Sequence, residues 1–203
     1  HLVNTGPLLR LPSLAIHLYR KDEFKPDRQR HMQPVLSVGT PDASVLSVVA
    51  DKLGLAREEI ASFNLITADA QRGEVFGAEE KFIAAGRMDN LSSVHASLRA
   101  MIGAASPSTA SDHKDILVMA AFDHEEVGSA SRYGAAGPIL GDVLTRTARA
   151  LGANEEQHFQ MFARSSCVSA DAAHSVHPNF PDKHDPTHHP IIGRGPVTKI
   201  NGN

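Results

Sequence analysis

The chain has 203 residues, 41% of them hydrophobic and 21% charged, with a formal net charge of −3. That length sustains one good core, or one domain plus part of another, and the near-neutral balance removes the electrostatic case for nucleic acid. No apolar stretch approaches the roughly 20 residues of a membrane span, and the lone cysteine, Cys167, excludes intrachain disulfides and cysteine-based zinc sites.

The first residues, HLVNTGPLLR, show no secretory signal pattern and no initiator methionine. The expectation is an internal section of a soluble, cytosolic protein. Residues 1–41 are rich in proline and short apolar runs, which predicts loops, edge strands and a short helix. In DASVLSVVADKLG, Asp42 suits an N-cap, Val45, Leu46, Val49 and Leu53 recur with helical period, and Gly54 suits the stop. AREEIASF predicts a helical turn, and FNLITADA a strand. From about residue 72 strands and helices alternate. KFIAAG reads as a strand, and 91–103 as a helix with Leu91, Val94, Leu98, Met101 and Ile102 on one face. A polar loop follows, SPSTASDHK. DILVMAAF is a continuous apolar run of the kind buried on both faces of a parallel sheet. Pro138 opens a helix that runs to Gly152. FARSSCVSA and GPVTKIN read as further strands. This order predicts an α/β fold with a mostly parallel sheet flanked by helices.

Acidic residues follow three of these strands: Asp89, the pair Glu125 and Glu126, and Asp171. Ligands in open α/β sheets bind beyond the carboxyl ends of the strands. Were the strands parallel neighbours, four carboxylates would meet in one crevice, at a cost that a cation relieves. The bland alternative is capping, since Asp89 or Asn90 suits the start of the next helix. Four such positions at once, followed by a stretch of sixteen residues holding His174, His177, His184, His188 and His189, favour a metal site. Carboxylates with a few imidazoles suit zinc, manganese or cobalt. In the EE pair, one glutamate suits a ligand and its neighbour a general base.

The stretches LLRLPSLAIHLYR, GRMDNLSSVHA, FDHEEVGSASRYGA, SADAAHSVHPNFPDKHDPTHHP and GPVTKIN resemble, in order, the aspartyl aminopeptidases, cytosolic peptidases with two metal ions. The resemblance covers nearly the whole chain. It implies two divalent ions, zinc foremost, with Asp89 bridging them, Glu126 on one and Asp171 on the other. Glu125 would be the general base toward a metal-bound water. His17 would enter a neighbouring subunit's site, Lys199 would read the acidic side chain of the substrate, and His174 and His177 would lie close by. The resemblance also implies a two-metal exopeptidase fold, incomplete here. Residues 1–71 match the C-terminal part of an inserted β-rich dimerisation domain, and 72–203 the centre of the catalytic domain. Peptides with N-terminal Asp or Glu would be the substrates, and a homo-oligomer built from dimers the assembly. A cis peptide after the bridging aspartate is a further expectation. The family's HTDSP-like segment and its C-terminal ligand histidine have no counterpart here, which leaves three of five ligands and predicts that this chain alone is inactive.

Two other readings compete: a related two-metal exopeptidase of different specificity, and a noncatalytic fragment that only assembles with partners. For the remaining side chains the bland reading leads. His95 suits a partly buried helix position, His184, His188 and His189 an exposed loop, and His113 and His158 solvated loops. Cys167 suits inert packing within a strand.

Overall fold

The computed structural model describes residues 1–20, 23–106, 108 and 115–200. Two compact units divide at one point, His1–Gly86 and Arg87–Asn203. The first unit includes the hairpin over residues 74–84.

In the first unit, an isolated antiparallel bridge joins Arg10 to Val35, and helix α1 spans Arg28–His31. The Asp27 carboxylate accepts from the Arg30 N–H at 2.8 Å, which caps α1. Helix α2 spans Val45–Leu53 and buries Val49 and Ala50. Ser44, not Asp42, precedes it, and neither side chain caps it. Gly54 ends α2 at φ +66°, where a side chain would be strained, and its N–H and that of Leu55 return to the Asp51 and Ala50 carbonyls. The expected helical turn is a single 3₁₀ turn, Arg57–Glu59. The strand expected over 63–70 does not form, and among the described residues no segment pairs with its backbone. Strands β1, Glu74–Phe76, and β2, Phe82–Ala84, pair antiparallel with Phe76 opposite Phe82, their rings 5.5 Å apart. At Gly77 a Cβ would come within 2.5 Å of the Phe82 ring, so only glycine lets that pair close.

The second unit is helical. Helix α3 spans Met88–Ala104, α4 Ile139–Ala150 and α5 Glu155–Arg164. Pro138 starts α4 as expected, and Ala148 on its inner side is buried. Helix α5 replaces an expected loop and the start of an expected strand. Its origin is a reciprocal cap: the Asn154 side-chain Oδ1 accepts from the Gln157 backbone N–H, and the Gln157 Oε1 from the Asn154 backbone N–H, both at 2.9 Å. His158 is therefore a helix residue and not a solvated loop residue. Its Nε2 lies 3.2 Å from the Thr145 hydroxyl on α4, and its ring meets Phe162 edge-on at 4.9 Å.

The parallel sheet is where structure and expectation part. Among the described residues the only sheet is the β1–β2 hairpin. Residues 116–122 and 165–170 run without ladder partners, as do 195–200. Ile116 is 61% exposed and Val168 91%, so the two-sided apolar character of these runs is uncovered. A strand of that kind exists only between neighbours that pair its backbone and helices that cover both faces. Cys167 is accordingly exposed and lies in no strand. On α3, Leu91, Leu98 and Ile102 are exposed, and His95 is exposed too, not partly buried. The expected polar loop 106–114, with His113, lies largely outside the described residues.

Candidate metal centre

Asp89 and Asn90 open α3 with non-helical backbone, at φ/ψ of −82°/113° and −113°/21°, and the bond between them is cis, as expected. Neither side chain caps the helix. The Asn90 amide instead donates to the Ala170 carbonyl at 2.8 Å, eighty residues away in sequence. That bond ties the start of α3 to the residue just before Asp171. The Asp89 and Asp171 carboxyls are thereby near enough to influence each other. The Lys199 ammonium donates to Asp171 Oδ2 at 3.1 Å and holds its carboxyl below the usual carboxylate range, first by that hydrogen bond and then by its charge. The Ala172 N–H and then the Asp89 carboxyl act in the same direction more weakly. Asp171 is 59% exposed and Lys199 54%, so solvent screens this pair.

Glu125 and Glu126 sit on a 3₁₀ turn, Glu125–Val127, both exposed. The loop around them is closely specified. His124 enters at φ +63°, Gly128 leaves at φ +97°, and Ser129 follows at φ +57°. The Val127 and Ser129 N–H groups both donate to the His124 carbonyl, at 3.2 and 2.9 Å. His124 Nδ1 lies 2.6 Å from the Ser131 hydroxyl, and its Nε2 lies 3.7 Å from Asp123 Oδ2. Ala136 N–H returns to the Ser129 carbonyl, and Asp123 N–H to that of Tyr133. Left-handed non-glycine residues are uncommon, and they concentrate where surroundings over-determine the backbone. Five occur among the described residues, and Arg87, His124 and Ser129 flank Asp89 or the glutamate pair.

His17 belongs to the first unit, on an exposed turn where the Leu18 and Tyr19 N–H groups both donate to the Ala15 carbonyl. His174 and His177 are exposed; His177 Nδ1 accepts from the Asn179 N–H at 3.2 Å, and its ring faces Phe180 at 5.0 Å. The Val176 N–H donates to the Pro190 carbonyl, anchoring the histidine-rich loop. Within that loop, Asp185 accepts from the Thr187 hydroxyl and N–H, both at 2.7 Å, and lies 3.3 Å from His188 Nδ1. These bonds hold its carboxyl far below the usual range. His184, half-buried, and His188 and His189, exposed, form no separate metal cluster among the described residues.

Two adjacent carboxylates with a single compensating ammonium suit a divalent cation in donor type and in charge. Beside them Asn90 Oδ1, shielded from solvent, has no hydrogen-bond partner. No group of three metal-binding side chains gathers among the described residues. Asp89 and Asp171 are thus two members of the expected donor set and do not by themselves make a metal site. Glu126 does not join Asp89 and Asp171 here. Sequence reasoning does not single out Asn90, His124 or Ser131. An amide directly after a candidate bridging carboxylate, and a hydroxyl seven residues from a histidine in a glycine-rich turn, are the signals that point to them.

Asp89, Asp171 and Lys199 form a small exposed cluster of two carboxyls and an ammonium, and comparison supplies the family. The family model described as aminopeptidase I zinc metalloprotease (M18) matches residues 2–203. A probable M18 family aminopeptidase 2 of Streptomyces coelicolor is 44% identical over 202 residues, covering 97% of this chain and 46% of that protein. The protein of the same name from Mycobacterium tuberculosis is 37% identical, with coverage of 97% and 46%. Among solved structures, a chain in the cryo-EM structure of the Ape4 and Nbr1 complex superposes with a TM-score of 0.76 at 27% identity, over 93% of this chain and 40% of that one. The crystal structure of prApe1 gives 0.70 at 27%, over 93% and 44%. This chain belongs to the M18 family of zinc metalloproteases. It spans about half the length of the curated relatives it matches.

Proposed function

We propose that the protein to which this chain belongs is a metal-dependent aminopeptidase that removes N-terminal Asp or Glu from peptides. The observation that carries the reading is the nearness of Asp89 and Asp171 through the Asn90–Ala170 bond, with Lys199 beside Asp171. Asp89, Glu126 and Asp171 are the residues that would hold the metal, Asp89 shared between two ions. Bound zinc supplies a Lewis acid for the scissile carbonyl and an acidified water.

The chain's own groups do the rest. Glu125 takes the proton of the attacking water and returns it to the leaving amine, a role that typically contributes about 10²–10⁴-fold. Its carboxylate is held on a turn that His124, Ser129 and Ser131 keep in one conformation. Lys199 offers an ammonium to the acidic side chain of the substrate's first residue, with Arg87 and Arg194 next in line for that task. His174 and His177 flank the substrate, and His17 serves the site of a neighbouring subunit. In this reading residues 1–71 belong to a dimerisation domain and 72–203 to the catalytic domain, and the assembly is a cytosolic homo-oligomer built from dimers.

The test uses the full-length protein. Glu125→Gln keeps bound zinc, measured by elemental analysis, and loses most turnover of an aspartyl anilide. Glu126→Gln loses zinc. Equal zinc loss in both variants overturns the division of roles. Faster cleavage of leucyl than of aspartyl anilide by the unmodified enzyme overturns the acidic specificity and favours the related exopeptidase.

A further inference from the structure

The turn that carries Glu125 is three residues long, too short to fix its own place in the fold. What holds it lies at its two ends, and the bonds converge on His124. The His124 carbonyl accepts from the Val127 and Ser129 N–H groups, at 3.2 and 2.9 Å, and so spans both glutamates. Its ring reaches the other way, with Nδ1 2.6 Å from the Ser131 hydroxyl. Its φ of +63° sets the direction in which the chain enters Glu125. That conformation is uncommon for a residue with a Cβ and persists where the surroundings impose it. Ser131 is a firm anchor for the ring. The Gly134 N–H donates to its carbonyl at 3.1 Å, and Gly137 packs so close to that oxygen that a Cβ there would overlap it. Histidine and serine are both half-buried, whereas Glu125 is exposed.

We infer that His124 and Ser131 are positioning residues for Glu125: their contact fixes the backbone at residue 124 and thereby the place of the carboxylate that follows. The inference rests on the proposed role of Glu125 as general base and deepens it. Neither side chain transfers the proton; both act through Glu125. A carboxylate that takes a proton from water must stand within hydrogen-bond reach of it, and a misplacement on the order of 1 Å costs up to about 10²-fold. The atom that matters on the ring is Nδ1. Asparagine carries its polar side-chain atoms at the same two-bond distance from Cβ and tolerates left-handed backbone, so it can stand in for the histidine.

The test measures aspartyl anilide turnover, bound zinc and circular dichroism on the full-length protein. Ser131→Ala and His124→Ala should lower kcat by about 10- to 10²-fold with KM unchanged, the pattern of a group that acts only in the chemical step. Zinc content and helicity should stay at the parent's level, and His124→Asn should keep most of the turnover. A double-mutant cycle then separates positioning from general support of the fold. With Glu125→Gln in place there is no base to misplace, so adding Ser131→Ala should cost no further turnover. Should Ser131→Ala fail to fold, the contrast between His124→Asn and His124→Ala decides alone. Parental kcat in Ser131→Ala, a loss that persists in full beside Glu125→Gln, or His124→Asn falling as far as His124→Ala overturns the inference and leaves Glu125 as the base. Parental turnover in Glu125→Gln removes the general-base reading itself, and the inference with it.

Discussion

The loop that carries Glu125 and Glu126 turns back on itself at Gly134 and Gly137, and the reason these are glycines is steric. A Cβ built on Gly134 overlaps the Ser129 carbonyl group and stands 2.8 Å from the Ser129 Cα. At Gly137 it overlaps the Ser131 carbonyl oxygen and stands 2.8 Å from that of Arg132. All of these are backbone atoms, so no side chain can rotate out of the way. Neither glycine has the positive φ that would add conformational strain, which makes Gly134→Ala a clean test of packing alone. Forcing one methyl into a filled space typically costs about 1–3 kcal/mol. In a chain of this size each kcal/mol shifts the melting midpoint by about 2–4 °C, so a fall of about 2–12 °C is expected. Gly141→Ala is the control. Gly141 lies within α4 with nothing within 4 Å of its Cβ position, and the alanine should stabilise by about 1 kcal/mol through helix propensity. Thermal melts followed by circular dichroism give both numbers. If Gly134→Ala melts with the parent, or if Gly141→Ala falls as far, the close approach at residue 129 is not what the loop depends on.

Three further outcomes follow from other parts of the molecule. Gly54→Ala places a side chain at φ +66° and should cost about 1–2 kcal/mol, visible as faster amide exchange in the last turn of α2; unchanged protection there would refute the cap. Asn154→Ala removes one half of the α5 capping box and should cost about 0.5–2 kcal/mol, read as lost helicity over 155–164, while Asn154→Ser should recover most of it. Because the hydroxyl and N–H of Thr187 depress the Asp185 carboxyl below its ordinary 3.8, the turn 185–188 is fully held above that value. It lets go only as pH falls through the depressed one. A carboxyl ¹³C titration with its midpoint near 3.8, or one unmoved by Thr187→Val, would contradict this.

Helix boundaries were legible wherever a local device sets them. Gly54 and Pro138 are such devices, and so is the Asn154–Gln157 pair, whose N-x-x-Q spacing the sequence reading passes over. Each acts within four residues, and that is the range over which a sequence speaks plainly. The apolar run 116–122 shows the opposite case. Its composition says it prefers burial on two faces, yet pairing depends on segments elsewhere, and among the described residues none lies alongside. The candidate site divides in the same way. That Asp89 and Asp171 belong together is read from their shared place after expected strands and from family resemblance, not from any spacing between residues 82 positions apart. The bond that joins them, from Asn90 to Ala170, and the partner of Lys199 are long-range facts that no local pattern encodes.

The contact between His124 and Ser131 has a consequence for the glutamates beside it. A hydroxyl can either give or receive a proton in a hydrogen bond. When Nδ1 is bare, Ser131 donates to it, and the other ring nitrogen carries its hydrogen on the side of Asp123. When Nδ1 carries hydrogen, the same hydroxyl rotates and accepts. The 2.6 Å contact thus survives either tautomer of the ring, and the shape of the turn beside Glu125 does not depend on which nitrogen carries the hydrogen. Ser131→Ala would leave Nδ1 without this hydroxyl in either tautomer, with only Asp123 beside the other nitrogen.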